Sequence, residues 1–116
     1  MTIEVYFNPA CSKSRRAREL LEARGVDAVY RDYQKAPPSR AELERLATLL
    51  GIDDPRKMMR SGEDLYRELG VDAASRDDVL DILAAHPQLL ERPIVVSGDR
   101  AVIARPPERA LELLGS

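Results

Sequence analysis

One cysteine and one histidine are all that this 116-residue chain offers as thiol and imidazole metal ligands. A lone cysteine cannot close an internal disulfide. Cys11, His86 and the scattered carboxylates show no metal-ligand spacing, so neither a disulfide scaffold nor a zinc or iron–sulfur centre is expected. No stretch approaches the roughly 20 apolar residues of a membrane span, and the opening Met1-Thr2-Ile3-Glu4-Val5-Tyr6-Phe7 has no basic leader followed by an apolar run. The expectation is a cytoplasmic location, with no membrane partner and a compartment that keeps Cys11 a free thiol. An excess of one charge is missing too: 18 Lys plus Arg against 20 Asp plus Glu leave −2, which argues against a generalised nucleic-acid surface. What is present is a globular composition, 44% hydrophobic and 33% charged. A chain of this length buries roughly 65% of its unfolded surface, enough to fold without staples.

Residues 2–7 alternate Ile3, Val5 and Phe7 with Thr2, Glu4 and Tyr6, the period of two that marks a strand. Asn8-Pro9 breaks it. From 12 to 24, Ala17, Leu20, Leu21 and Ala23 fall among charges until Gly25 supplies a helix stop. Residues 26–33 read as a second strand ended by Pro37-Pro38. Ser39-Arg40-Ala41-Glu42 is a capping box feeding Leu43, Leu46, Ala47, Leu49 and Leu50, with Gly51 as the stop. Shorter helical pieces are expected at about 55–59, 63–69 and 76–85. Ile94-Val95-Val96 and Ala101-Val102-Ile103 flank a glycine-containing turn that suits a hairpin, and a final helix is expected over about 107–114. The order β-α-β, helical segment, β-β-α predicts an α/β chain with a thioredoxin-like fold: a mixed four-stranded sheet carrying an inserted helical subdomain at about 38–88, counted as one domain over 1–116.

Cys11 sits where the first strand has ended and the first helix begins, in Asn8-Pro9-Ala10-Cys11-Ser12-Lys13-Ser14-Arg15-Arg16. A lone cysteine is often a small buried hydrophobe. Here the unpaired amides of a first helical turn, the positive end of the helix dipole, and Lys13, Arg15 and Arg16 all favour a thiolate. The amides of residues 12–15, with the hydroxyls of Ser12 and Ser14, form a cradle for an oxyanion against the sulfur, with Arg15 adding charge. A cysteine-phosphatase loop needs an arginine six residues after the cysteine, where this chain has Ala17. A dithiol oxidoreductase needs a second cysteine three residues on, where it has Ser14. What remains is a one-cysteine site resolved by a thiol from another molecule.

If the hairpin turns on Gly98-Asp99, Val96 pairs with Ala101, Val95 with Val102 and Ile94 with Ile103, and Arg92 comes opposite Arg105. Like charges facing each other across a sheet destabilise it, so such a pair either splays into solvent or shares an anion. A thioredoxin-like fold sets the start of this hairpin beside the first helix's N-terminus, often with a cis proline, for which Pro93 is the candidate. On that geometry the two arginines face Cys11.

Tyr6-Phe7-Asn8-Pro9-Ala10-Cys11-Ser12-Lys13-Ser14-Arg15, Pro37-Pro38-Ser39-Arg40-Ala41-Glu42-Leu43, Glu91-Arg92-Pro93-Ile94-Val95-Val96 and Arg105-Pro106-Pro107-Glu108 together resemble the ArsC-like, glutaredoxin-coupled arsenate reductase family. The stretch from Met59-Arg60 to Tyr66-Arg67-Glu68-Leu69-Gly70 is similar to that family's insertion, so the resemblance spans nearly the whole chain. It implies that Cys11 attacks arsenate or a similar oxyanion, and that Arg60, Arg92 and Arg105 hold the oxyanion and the arsenic–sulfur adduct. It also implies glutathione as co-substrate, glutaredoxin as partner, no tightly bound cofactor, and action as a monomer. Phe7 departs from the pattern: family members carry a histidine there that helps hold the thiolate, and a phenyl ring supplies no charge. The Ser12-Lys13-Ser14 loop resembles a housekeeping branch of the family. His86, before a proline, reads as a helix-end residue rather than a replacement. Two alternatives stay open from the sequence: a glutathione-dependent monothiol oxidoreductase acting on mixed disulfides, and an Spx-type RNA polymerase-binding regulator, although this chain lacks the second cysteine of such a redox switch.

Overall fold

The computed structural model describes residues 2–114 and divides the chain into two compact units, one holding the described residues up to Ala36 and from Arg92 onward, the other Pro37–Glu91.

In the first unit, β1 (Ile3–Phe7) runs at the centre of the sheet and buries Ile3, Val5 and Phe7, as the alternation requires. Tyr6, expected on the polar side, is buried as well, with the Arg31 guanidinium 5.2 Å over its ring. Helix α1 (Ser12–Ala23) places Ser14, Ala17 and Leu21, spaced three and four apart, on one buried face. Ala17 and Leu21 enter the same apolar cluster as Ile3, Val5, Phe7, Val95 and Val102. Burial of a leucine such as Leu21 contributes about 2 kcal/mol. The helix stops at Gly25, whose φ of 71° only glycine adopts freely, and the N–H groups of Gly25 and Val26 close the last turn onto Glu22 and Leu21.

Strand β2 (Ala28–Asp32) pairs parallel with β1, β3 (Ile94–Ser97) antiparallel with β1, and β4 (Arg100–Ile103) antiparallel with β3, giving the order β2-β1-β3-β4 of a thioredoxin-like sheet. The hairpin register matches the sequence expectation: Ile94 opposite Ile103, Val95 opposite Val102, Val96 opposite Ala101. The helix expected over 107–114 is instead a 3₁₀ segment, Pro107–Leu113. Its i, i+3 periodicity stacks Pro107, Ala110 and Leu113 on one side, and Ala110 is fully buried in the sheet cluster.

The second unit is helical. Helix α2 (Arg40–Leu50) opens on the expected capping box, with the Glu42 N–H donating to Ser39 Oγ at 3.1 Å and the Ser39 N–H to Glu42 Oε1 at 2.9 Å. It ends on Gly51 at φ 71°. A 3₁₀ segment, Pro55–Met58, precedes α3 (Asp64–Glu68) and α4 (Arg76–Ala85). Met59, expected to be helical, is extended and bridges Leu90, because its neighbours Met58 and Arg60 exchange backbone hydrogen bonds with the chain at Glu91 and Leu89. No helix among the described residues is long and apolar enough to cross a membrane.

Candidate active site

Where β1 ends, Asn8 turns the chain. Its Oδ1 accepts the Ala10 N–H at 2.9 Å and its carbonyl accepts the Cys11 N–H at 2.9 Å, closing a tight loop that delivers Cys11 to the N-cap of α1 with φ −93° and ψ 125°. An N-cap side chain faces the unpaired amides of the first turn, so Sγ stands where a serine oxygen ordinarily accepts them. The thiol is half-buried.

Ser14 shares the buried face of α1, where an unpaired hydroxyl is costly. Its Oγ accepts the Asn8 N–H at 3.2 Å, leaving the hydroxyl hydrogen for Cys11 Sγ. Arg15 Nη1 donates to the Pro9 carbonyl at 3.0 Å and braces the loop, while Ser12 is exposed at the first helical position.

The hairpin's start supplies the cation. The Arg92–Pro93 peptide is cis, as proposed for Pro93, and so is Arg105–Pro106, which the sequence reading did not single out. Arg105 Nη1 donates to the Arg92 carbonyl at 3.0 Å, and the Ala104 N–H to the Pro93 carbonyl at 2.9 Å. The two arginines therefore do not simply face each other: Arg105 is drawn to a carbonyl, and the Arg92 guanidinium lies beside Cys11 and Tyr33, within electrostatic range of both. Arg92 Nε is buried with no hydrogen-bond partner among the described residues. A buried donor left in that state is costly unless a ligand takes it, and an oxyanion beside the thiol has the oxygens to do so.

These contacts set the thiol's acidity. Burial pushes the Cys11 pKa up. The Ser14 amide, the Arg92 guanidinium, the Lys13 amide and the Ser14 hydroxyl act against it, and the net result is a pKa lowered from 9.0 to about 7. Substituting Ser14→Ala removes a donor to sulfur and strands the buried Asn8 N–H. The expected result is an alkylation midpoint above that of the wild type and a stability loss of about 1–3 kcal/mol by urea denaturation.

Phe7 is buried in the core and meets the Tyr30 ring edge-on at 5.4 Å. Arg60 lies in the second unit, ion-paired to Glu63, with its N–H on the Leu89 carbonyl. His86 is there too, at the C-cap of α4 with its N–H on Ile82. Among the described residues, no group of three His, Cys, Asp or Glu side chains is placed to hold a metal ion. Two residues of the site were not found from sequence: Asn8 as the loop's organiser and Tyr33 as a neighbour of Arg92. The available signal was position, since both directly follow the C-terminal ends of parallel strands, where α/β sheets gather their ligands.

The sequence model of the ArsC family matches residues 6–113. A protein of Haemophilus influenzae named arsenate reductase is 43% identical over 116 residues, covering 98% of this chain and 100% of its own. An arsenate reductase of Escherichia coli is 37% identical over 114 residues, covering 97% of this chain and 80% of its own. Among solved structures, arsenate reductase from Vibrio cholerae superposes with a TM-score of 0.93 at 44% identity, covering 97% of each chain.

Proposed function

The chain belongs to the ArsC family, and on that premise we propose that it is an arsenate reductase coupled to glutathione and glutaredoxin, with Cys11 as its nucleophile. The observation that carries this reading is the half-buried Cys11 thiol at a helix N-cap, its pKa lowered to about 7 with the Arg92 guanidinium beside it. At pH 7 a thiol titrating there is about half thiolate, against about 3% for one at the free value of about 8.5.

In this mechanism the Cys11 thiolate attacks arsenic and displaces one oxygen, which leaves as water after protonation. Arg92 neutralises charge on the remaining oxygens, and Arg105, anchored on the Arg92 backbone, holds that strand end and adds positive charge. Arg60 is the third cation by family resemblance. Glutathione then joins the adduct. Arsenic takes up two electrons and departs as arsenite, and the two sulfurs that lost those electrons remain as a Cys11–glutathione disulfide for glutaredoxin to reduce. A second thiol must come from outside because the chain has only one.

The test is alkylation of Cys11 by iodoacetamide across pH, with and without arsenate, phosphate or sulfate. The expected profile has its midpoint near pH 7, and saturating arsenate protects the thiol. A midpoint near pH 8.5 that no oxyanion alters would sink the reading. Protection by glutathione mixed disulfides but not by arsenate would replace it with a monothiol oxidoreductase.

A further inference from the structure

Where β3 and β4 run out, their ladder becomes one-sided. Beyond the Ile94–Ile103 pair the Ala104 N–H still reaches the Pro93 carbonyl at 2.9 Å, but a proline has no N–H to return. One step further out, the Arg105 N–H folds back onto the Ile103 carbonyl at 2.9 Å instead of crossing to β3. The donor that crosses is a side chain: Arg105 Nη1 meets the Arg92 carbonyl at 3.0 Å, in a part-buried position. The guanidinium takes over where the main chain can no longer pair, and a charged donor makes the stronger kind of hydrogen bond.

The residue held in this way belongs to the thiol's site. Continuing the β1–β3 register outward from Tyr6 opposite Ile94 sets Arg92 level with Asn8, where the cysteine loop begins. Arg92 Nε is buried with no hydrogen-bond partner among the described residues, so the course of the main chain at Arg92 decides where that donor is offered. A tilt of the peptide at the base of so long a side chain is carried to its tip. A guanidinium grips an oxyanion best with two nitrogens side by side, and Arg105 has already committed Nη1 to a carbonyl.

We propose that Arg105 is a positioning residue rather than an oxyanion ligand: by anchoring the Arg92 carbonyl it fixes the start of β3, and its effect on the site passes through Arg92. This rests on the reading of Cys11 as nucleophile and Arg92 as its anion-binding partner. It separates two arginines that the family resemblance places in one role.

The test is a double-mutant cycle read by alkylation of Cys11 with iodoacetamide at pH 7, in the absence of any oxyanion. Arg105→Ala should slow alkylation about threefold, the scale of one net hydrogen bond. In an Arg92→Ala background the same substitution should change the rate by less than about twofold. An unchanged rate in the single variant overturns the proposal. So does an equal slowing in both backgrounds, because an arginine acting by its own charge, or by general support of the fold, acts on both alike. Arg105→Lys keeps one donor for the carbonyl and should bring the rate back to within about twofold of the wild type. Should Arg105→Ala not fold, the lysine variant decides alone, and a slowing of about threefold or more overturns the proposal. With arsenate as the probe, half-protection of Cys11 in Arg105→Lys should need at most about twice the wild-type concentration; a rise of about tenfold marks a lost two-point contact with the oxyanion and also overturns it. The assigned function fails separately. The cycle contains no arsenate, so loss of the coupling removes the role of Arg105 while arsenate protection of wild-type Cys11 still stands. Absence of that protection removes the function.

Discussion

Cys11→Ser is expected to lose glutathione-dependent arsenate reduction by on the order of 10⁴-fold or more, to below detection in a coupled assay. A serine hydroxyl is not ionised near neutrality and cannot end the cycle as a disulfide, so both the attack and the transfer of electrons to arsenic are lost together. The fold should survive, because position 11 is the N-cap of α1 and serine is among the preferred N-cap residues, worth about 1 kcal/mol over a poor cap. Inactivity with an unchanged or raised Tm therefore separates chemistry from unfolding. The pH dependence of that Tm has a definite sign. The folded thiol has a pKa lowered from 9.0 to about 7, so its stabilisation of the fold is complete above about pH 9 and is lost as the pH falls through 7. Any advantage of the serine variant in Tm should shrink as the pH rises. Appreciable arsenate turnover by Cys11→Ser would place the nucleophile elsewhere.

Arg92→Ala carries the second large effect. Removing the cation beside the thiol takes away a contact that favours the charged form, so the alkylation midpoint should move up from about 7 toward the free value of about 8.5, although the amides of Lys13 and Ser14 remain. Through the thiolate fraction alone, the rate at pH 7 should fall several-fold. Loss of the guanidinium's contribution to the oxyanion should bring the total loss in kcat/KM for arsenate to about 10²–10³-fold, the range found when a preorganised donor is removed. Arg92→Lys should recover part of the alkylation rate and little of the arsenate affinity, since an ammonium restores charge but not a planar fork that takes an oxyanion bidentately. Steady-state kinetics beside alkylation rates separate the two losses. An arsenate KM unchanged in Arg92→Ala would exclude the arginine from the anion site.

Much of the scaffold was legible because it is written in short-range terms. The Ser39–Glu42 capping box, the stops at Gly25 and Gly51, the alternation of β1 and the hairpin register about Gly98-Asp99 each depend on residues within a few positions of one another. The misses have the same origin in reverse. Met59 leaves its helical turn to bridge Leu90, and Tyr6 is buried on both sides of a central strand, outcomes set by partners distant in the chain. Ser14 shows both levels at once: its hydroxyl suggested an anion ligand, while its position on the buried face of α1 turns it inward to the Asn8 N–H and the sulfur.

By itself the sequence determined that the chain has a single thiol at the head of a helix, that this thiol has no partner within the chain for a disulfide, and where most of the strands and helices fall. Those follow from composition, from caps and from periodicity. Only the tertiary structure decided which cation serves that thiol. Arg92 lies beside Cys11 and Tyr33 because β1 lies between β2 and β3, which brings the ends of three sequence-distant segments together at one end of the strands. That order is fixed by nonlocal strand pairing and a shared core. No local pattern around Cys11, Tyr33 or Arg92 encodes it.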